Sequence, residues 1–308
     1  EQLNARQLEA VTAGERAVAV IAGPGTGKTK TLVSRIAYLI EERGVSPAQI
    51  TAVTFTNKAA REMRERLAQR LPDKRMARAL NIGTFHAICL KQLSRQKERF
   101  HVLCQEDALS ILSEVLSEMG SSASAKEVLS RISRCKNQGL NPSEEDPALS
   151  PIWNAYHQKL SALHALDYDD LLLDGLARAQ AAEPSAASPF THLLVDEFQD
   201  VNPLQYYLIE AWSSQAKSLF IIGDPDQSIY GFRGSDAQCF SRFFEWNPTA
   251  RRIVLTENYR STPEILRCAL PVIRAPGEQP RTLFARRESA APVRQIKTHS
   301  DFEEALFT

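Results

Sequence analysis

Apolar positions follow two rhythms along the chain. Short apolar runs recur at Val18-Ala19-Val20-Ile21-Ala22, Ile50-Thr51-Ala52-Val53-Thr54-Phe55, Leu80-Asn81-Ile82, Leu193-Leu194-Val195, Leu219-Phe220-Ile221-Ile222 and Arg252-Ile253-Val254-Leu255. Runs this short, ended by glycine or polar residues, predict strands buried on both faces. Between them the spacing changes to that of a helix. Leu3, Gln7, Leu8 and Val11 lie on neighbouring turns with Asn4 as a cap, and Leu32, Ile36, Leu39 and Ile40 form a stripe ending near Arg43-Gly44. Thr56-Asn57 caps a charged helix over 58–70, whose arginines alternate with glutamates and read as a solvated face. Strands alternating with helices predict an α/β domain with a parallel sheet.

From about 100 to 180 the strand signals stop and the pattern is helical throughout, as in Ala108-Leu109, Ile111-Leu112, Val115-Leu116 and Val128-Leu129, Ile132. A turn-rich break falls at 139–151, and 181–189 has the composition of a linker. The block reads as an all-helical subdomain inserted into the α/β domain. The expected organisation is 1–86 for the first part of that domain and 87–182 for the insertion. The second part then follows over 183–274, with a linker and the start of a further domain over 275–308. Within the insertion, Asp167-Tyr168-Asp169-Asp170 reads as a helix N-terminus with favourable charge.

A length of 308 residues allows more than one domain, and 43% hydrophobic with 24% charged residues is ordinary for a globular chain. The zero net charge is unevenly spread. Residues 1–100 hold 18 Lys and Arg against 9 Asp and Glu, and the remainder holds 19 against 28. A basic N-terminal part suits a polyanionic partner. Five scattered cysteines without metal-ligand spacing argue against a zinc site or a disulfide framework, and for a reducing, cytoplasmic setting. No apolar run approaches membrane-spanning length, and no signal segment opens the chain. The start at Glu1 rather than Met suggests a processed or cut piece.

The first strand runs into Ala22-Gly23-Pro24-Gly25-Thr26-Gly27-Lys28-Thr29 and then a helix, the order a phosphate cradle needs. Gly23, Gly25 and Gly27 let the backbone curl, Lys28 reaches the β and γ phosphates, and the Thr29 hydroxyl ligates Mg²⁺. Asp196 ends a later strand, where it would hold Mg²⁺ through water, and Glu197 beside it would deprotonate an attacking water. Gln227 can reach a γ-phosphate, Arg260 a phosphate, Tyr259 can stack, and Gln7 can meet an adenine edge. Thr56, Asn57, Thr84 and His86 can hold nucleic-acid phosphates, Phe85 is core or a stacking platform, and Tyr230, Phe232 and Arg233 form a glycine-flanked loop able to stack on unpaired bases.

These stretches together resemble the superfamily 1 helicases of the UvrD/Rep/PcrA group. The resemblance rests on Leu3-Asn4-Ala5-Arg6-Gln7, the phosphate loop, Thr54-Phe55-Thr56-Asn57-Lys58-Ala59-Ala60, Gly83-Thr84-Phe85-His86, Val195-Asp196-Glu197-Phe198-Gln199-Asp200, Gly223-Asp224-Pro225-Asp226-Gln227-Ser228-Ile229-Tyr230 and Glu257-Asn258-Tyr259-Arg260-Ser261-Thr262. It extends to Lys136-Asn137-Gln138-Gly139-Leu140 in the helical block. The resemblance implies a RecA-like motor domain carrying a helical insertion, with ATP and Mg²⁺ as cofactors and single-stranded DNA and single/double-strand junctions as partners. It implies 3′→5′ stepping in repair or replication. By the same resemblance Gln7 reads adenine, Tyr259 stacks on it, and Arg260 and Gln227 contact the γ-phosphate. Phe55, Thr84, His86, Tyr230, Phe232 and Arg233 are then the single-strand contacts.

Three departures qualify this. Lys30 stands where the group has an arginine stacked on adenine, which loses the planar stack. Phe232 stands where a tryptophan is usual. Past Pro263 the motifs of a second motor domain have no counterpart, so that domain is expected C-terminal to this chain, and the 308 residues alone are expected to hydrolyse ATP poorly and not to unwind duplex DNA. The competing reading is a motor-derived module that holds ATP and single strands without translocating. A P-loop kinase or GTPase leaves the Gln-rich acidic motif and the aromatic loop without a role.

Overall fold

Strand β1 (Ala17–Ala22) is buried along its whole length because it has a neighbour on each side. It pairs in parallel with β7 (Ser218–Gly223) and with β8 (Arg251–Leu255). From β7 the sheet continues to β6 (His192–Val195), β2 (Ile50–Val53) and β3 (Asn81–Gly83), giving six parallel strands in the order β3-β2-β6-β7-β1-β8. In this computed structural model the described residues are 2–94, 100–140, 146–182, 188–228, 238–273, 282–289, 291–294, 296–297, 300 and 305. The α/β architecture with a parallel sheet matches the expectation.

The period of two along β1 sorts its side chains into two cores. Val18, Val20 and Ala22 face a layer holding α1 (Ala5–Thr12), α2 (Lys28–Glu41) and α3 (Asn57–Arg70), where Leu32, Ile36, Met63 and Leu67 are buried; α4 (Lys74–Ala79) adds Ala77. Ala17, Ala19 and Ile21 face the opposite layer. There α5 (Phe85–Leu93) supplies Phe85 and Ile88, and a helix over Tyr168–Ala181 supplies Leu171 and Leu172. Leu204 and Leu208 come from a helix over Pro203–Ser213, and Phe240 and Phe243 from one over Cys239–Trp246.

Helices α6 (Gln105–Glu118), α7 (Ala125–Gln138) and α8 (Ser150–Ala162) close a third core of their own around Leu112, Leu116, Val128, Ile132, Tyr156 and Leu160. Continuing in chain order, Tyr168–Ala181 is α9, Pro203–Ser213 α10, Cys239–Trp246 α11 and Pro263–Ala269 α12. The pattern here differs from the sequence reading in three places. His101–Val102 (β4) pairs in parallel with Ala165–Leu166 (β5), a ladder too short to leave a periodicity. Pro151 opens α8 instead of belonging to the break, since the first helical turn has no use for its missing N–H. On α1, Leu8 is 51% exposed while Gln7, Ala10 and Val11 are buried, because Gln7 is drawn inward by a hydrogen bond to the phosphate loop.

A buried charged node fastens this block to the rest. The Lys136 side chain is only 1% exposed and pairs with Asp167 and Asp170, each at 2.7 Å, while its ammonium lies 5.0 Å from the Trp153 ring centroid. Asp167 is at the same time the N-cap of α9, in a capping box with Asp170. Next to it Asn137 donates to Asp169 and accepts from Asn202, the N-cap of α10, both at 2.7 Å.

Candidate nucleotide site and nucleic-acid edge

All the motif loops leave the carboxyl ends of the six strands, where crevices of open parallel sheets take ligands. Those following β6, β7, β1 and β8 lie together, and those following β2 and β3 lie beside them.

The phosphate loop is held from behind by its carbonyls. Pro24 accepts from Asn258 Nδ2 at 2.6 Å, Gly25 from the Tyr259 backbone N–H at 2.8 Å, Thr26 from Gln7 Nε2 at 2.9 Å, and Gly23 from the Thr26 hydroxyl at 2.7 Å. The peptides are trans, so the N–H groups of Gly25 and Gly27 turn to the opposite side of the loop. Two glycines are required here. Gly25 (φ +69°) would place a Cβ 2.6 Å from Arg260 Cβ, and Gly27 (φ +87°), the N-cap of α2, would place one 2.6 Å from Gln7 Nε2.

Sequence-singled residues meet around a cavity of about 400 Å³. Pro24, Gly25, Gly27, Lys28, Thr29 and Lys30 line one side, and Glu197, Gln227, Tyr259 and Arg260 the other. Gly23, Thr26 and Gln7 are not in that lining and shape the loop from behind. Gln7 is fully buried, with its Nε2 on Thr26 and its Oε1 accepting from the Asn4 N–H at 3.1 Å. Lys30 reaches the Gln2 carbonyl at 3.0 Å, and the Tyr259 hydroxyl accepts from Asn4 at 2.8 Å and donates to Glu257 at 2.9 Å. Gln227 donates to Asp224 at 2.5 Å.

The acidic turn is the electrostatic centre. Lys28 Nζ lies 2.7 Å from Glu197 Oε2. Glu197 adopts the left-handed conformation (φ 47°, ψ 46°), which costs a non-glycine residue roughly 1–2 kcal/mol and is held by the Asp200 N–H donating to its carbonyl. Asp196 is buried, its N–H donating to the Val53 carbonyl at 2.9 Å. Burial, then the negative Glu197, pushes its carboxyl up to about 6, and Asp200 is raised to about 6 by the same two causes. A lysine, a hydroxyl at a helix N-terminus and a buried carboxylate that favours a nearby cation form a donor set that fits a triphosphate with a divalent ion.

Arg66 is the lining residue that sequence reasoning missed. It looks like its neighbours in the charged helix α3, and only the fold distinguishes it. Arg64, by contrast, turns to the Ile82 carbonyl on the edge strand.

Along the β2 and β3 ends, Thr56 caps α3 and Thr84 caps α5, with Asn57 exposed and Phe55 half-buried in the turn after β2. Phe85 resolves as core, stacked on Trp212 at 5.9 Å. His86 is half-buried and meets the ring of Tyr168 edge-on at 5.5 Å; burial lowers its pKa, and Asp169 opposes the shift. Tyr168, 55% exposed, is a second residue that the sequence did not single out. Tyr230, Phe232 and Arg233 lie outside the described residues.

Residues 3–246 match the family model described as the UvrD/REP helicase N-terminal domain. The chain is 34% identical to the ATP-dependent DNA helicase PcrA of Staphylococcus aureus strain Mu50, over 99% of this chain and 44% of that protein. It is 33% identical to the PcrA of Staphylococcus epidermidis strain RP62A, over 100% of this chain and 45% of that one. The chain thus spans less than half the length of these curated relatives. With its phosphate loop, acidic turn and arginine-bearing β8 turn gathered on one sheet edge, the chain belongs to the UvrD/REP helicase family as an N-terminal domain.

Proposed function

We propose that this chain is the ATP-hydrolysing, strand-gripping half of a DNA translocase that moves 3′→5′ on single-stranded DNA and acts at single/double-strand junctions in repair or replication. The observation that carries the reading is the cavity in which Lys28, Glu197, Gln227 and Arg260 converge on the phosphate loop.

Lys28 leaves Glu197 for the β and γ phosphates, which frees the Glu197 carboxylate to take a proton from the attacking water. Gln227, Arg260 and Arg66 surround the terminal phosphate, and Tyr259 flanks the base. A divalent cation, Mg²⁺, held by Thr29 and Asp196, supplies positive charge against the phosphate oxygens when bound. Thr56, Asn57, Thr84 and His86 hold the strand on the adjoining part of the edge, joined by Phe55 and by Tyr230, Phe232 and Arg233. A second motor domain C-terminal to this chain completes the cleft, and the setting is the cytoplasm.

In the complete protein, Lys28→Ala is expected to abolish ATPase activity stimulated by single-stranded DNA while leaving strand binding measurable. Undiminished turnover removes the phosphate loop from the mechanism. The 308 residues alone are expected to fail in an ATP-dependent strand-displacement assay, and duplex separation by them would overturn the assignment of half a motor.

A further inference from the structure

Gln199 lies two residues after Glu197 in the short turn Phe198–Asp200 and is 3% exposed. A buried amide has two distinguishable ends, and here a backbone donor decides which is which. The Asp224 N–H donates to Gln199 Oε1 at 2.9 Å, and a backbone N–H cannot exchange roles. The amide nitrogen is therefore directed at Glu197, whose Oε2 accepts from it at 2.9 Å; Asp200 Oδ2 is a longer second acceptor at 3.4 Å.

A further hydrogen bond and a close steric fit bind Gln199 to β7 and the turn after it. Its carbonyl accepts from the Ser228 hydroxyl at 3.2 Å, and Gly223 at the end of β7 leaves the room it needs. A Cβ on Gly223 would overlap Gln199 Oε1 and come within 2.9 Å of the Phe198 nitrogen. Lys28 shares the same Glu197 oxygen with Gln199. Once Lys28 turns to a phosphate, Gln199 is the remaining side-chain donor on that carboxylate among the described residues.

We propose that Gln199 is a positioning residue that orients the Glu197 carboxylate for proton abstraction and ties its placement to the 224–228 segment carrying Gln227. This rests on the reading of Glu197 as the base. A shift of the 224–228 segment against β6 is then felt at Glu197 without any contact to nucleotide. The Gln199 amide itself transfers no proton.

The test uses single-strand-stimulated ATP turnover by the complete protein, with wild type, Glu197→Gln, Gln199→Ala, Gln199→Glu and the double variant Glu197→Gln/Gln199→Ala. Gln199→Ala is expected to lower kcat on the order of tenfold or more, with KM for ATP and the affinity for a fluorescent ATP analogue nearly unchanged. Gln199→Glu keeps an oxygen for the Asp224 N–H but loses the donor to Glu197, so it should lose at least as much, and it carries the test if the alanine variant fails to fold. In the Glu197→Gln background, removing Gln199 should cost little more. Wild-type kcat in Gln199→Ala, or restored kcat in Gln199→Glu, would leave Gln199 a mere support for the turn and overturn the inference. So would an independent, multiplicative loss in the double variant. If Glu197→Gln itself turns over normally, the assignment of the base fails instead.

Discussion

Replacing Lys136 by methionine keeps the length and apolar stem of the side chain and removes its charge. In the wild type the ammonium sits between two carboxylates whose side chains are 8% and 7% exposed. Burial opposes ionisation of Asp167, and the Lys136 charge with the Asp170 backbone N–H outweighs it, holding that carboxyl below its ordinary range; burial pushes Asp170 up, against the opposing pull of Lys136. Lys136→Met strands both acids in a dry site, and breaking one partner out of a buried ion pair costs about 3–5 kcal/mol. Urea unfolding followed by tryptophan fluorescence reads the loss directly, because Trp153 stacks against the lysine. The pH dependence has a sign. The stranded acids are raised in the folded variant, so its deficit narrows as pH falls and they protonate. In the wild type the contribution of the depressed Asp167 is lost as pH falls through its folded pKa, while the raised Asp170 acts in the opposite direction. Adding Asp167→Asn and Asp170→Asn should recover most of the loss, since asparagine still caps α9. A Lys136→Met loss under about 1 kcal/mol, or no recovery in the triple variant, would refute a node held by charge pairing.

Other consequences concern the cavity. Gly25→Ala forces a left-handed alanine, costing about 1–2 kcal/mol, and drives its methyl into Arg260 and Asn258. Nucleotide affinity measured by titration calorimetry should fall at least about tenfold, and unchanged affinity would mean that the loop binds nothing. Arg66→Ala should weaken ATP binding by about tenfold, the worth of one charge-assisted hydrogen bond near 1.5 kcal/mol, while single-strand affinity stays constant. A change confined to single-strand affinity would move Arg66 from the nucleotide to the nucleic-acid edge.

The parallel sheet was legible because its strands are apolar without alternation, as at Val18 to Ala22, and each ends in a motif loop. Local spacing also predicted helices through the block that holds Leu171 and Leu172. It could not tell that they pack under the sheet with Phe85 and Ile88 while Leu160 packs among the insertion helices, since both stripes have the same period. The site shows the same division. Lys28, Glu197, Gln227 and Arg260 stand out as candidates by residue type and position after a strand. Arg66, Tyr168 and Gln199 do not, because a place set by three-dimensional neighbours leaves an ordinary arginine, tyrosine or glutamine in the sequence. Gln7 was visible as a candidate, but not that both ends of its amide are spent on Thr26 and Asn4.

The place of β1 in the sheet governs how the chain is made. Its register partners, Leu219 and the residues after it on one side and Arg251 onward on the other, emerge roughly 200 residues later. At about 5–20 residues per second, synthesis leaves Ala17 to Ala22 without either neighbour for some 10–40 s. Throughout that interval the nascent chain carries an uncharged, apolar segment with unsatisfied backbone donors, which invites pairing with another copy. Any fragment ending before Ser218 makes that state permanent. The earliest-made strand is thus the last to be sealed, and the yield of the folded chain depends on what shelters it in the meantime.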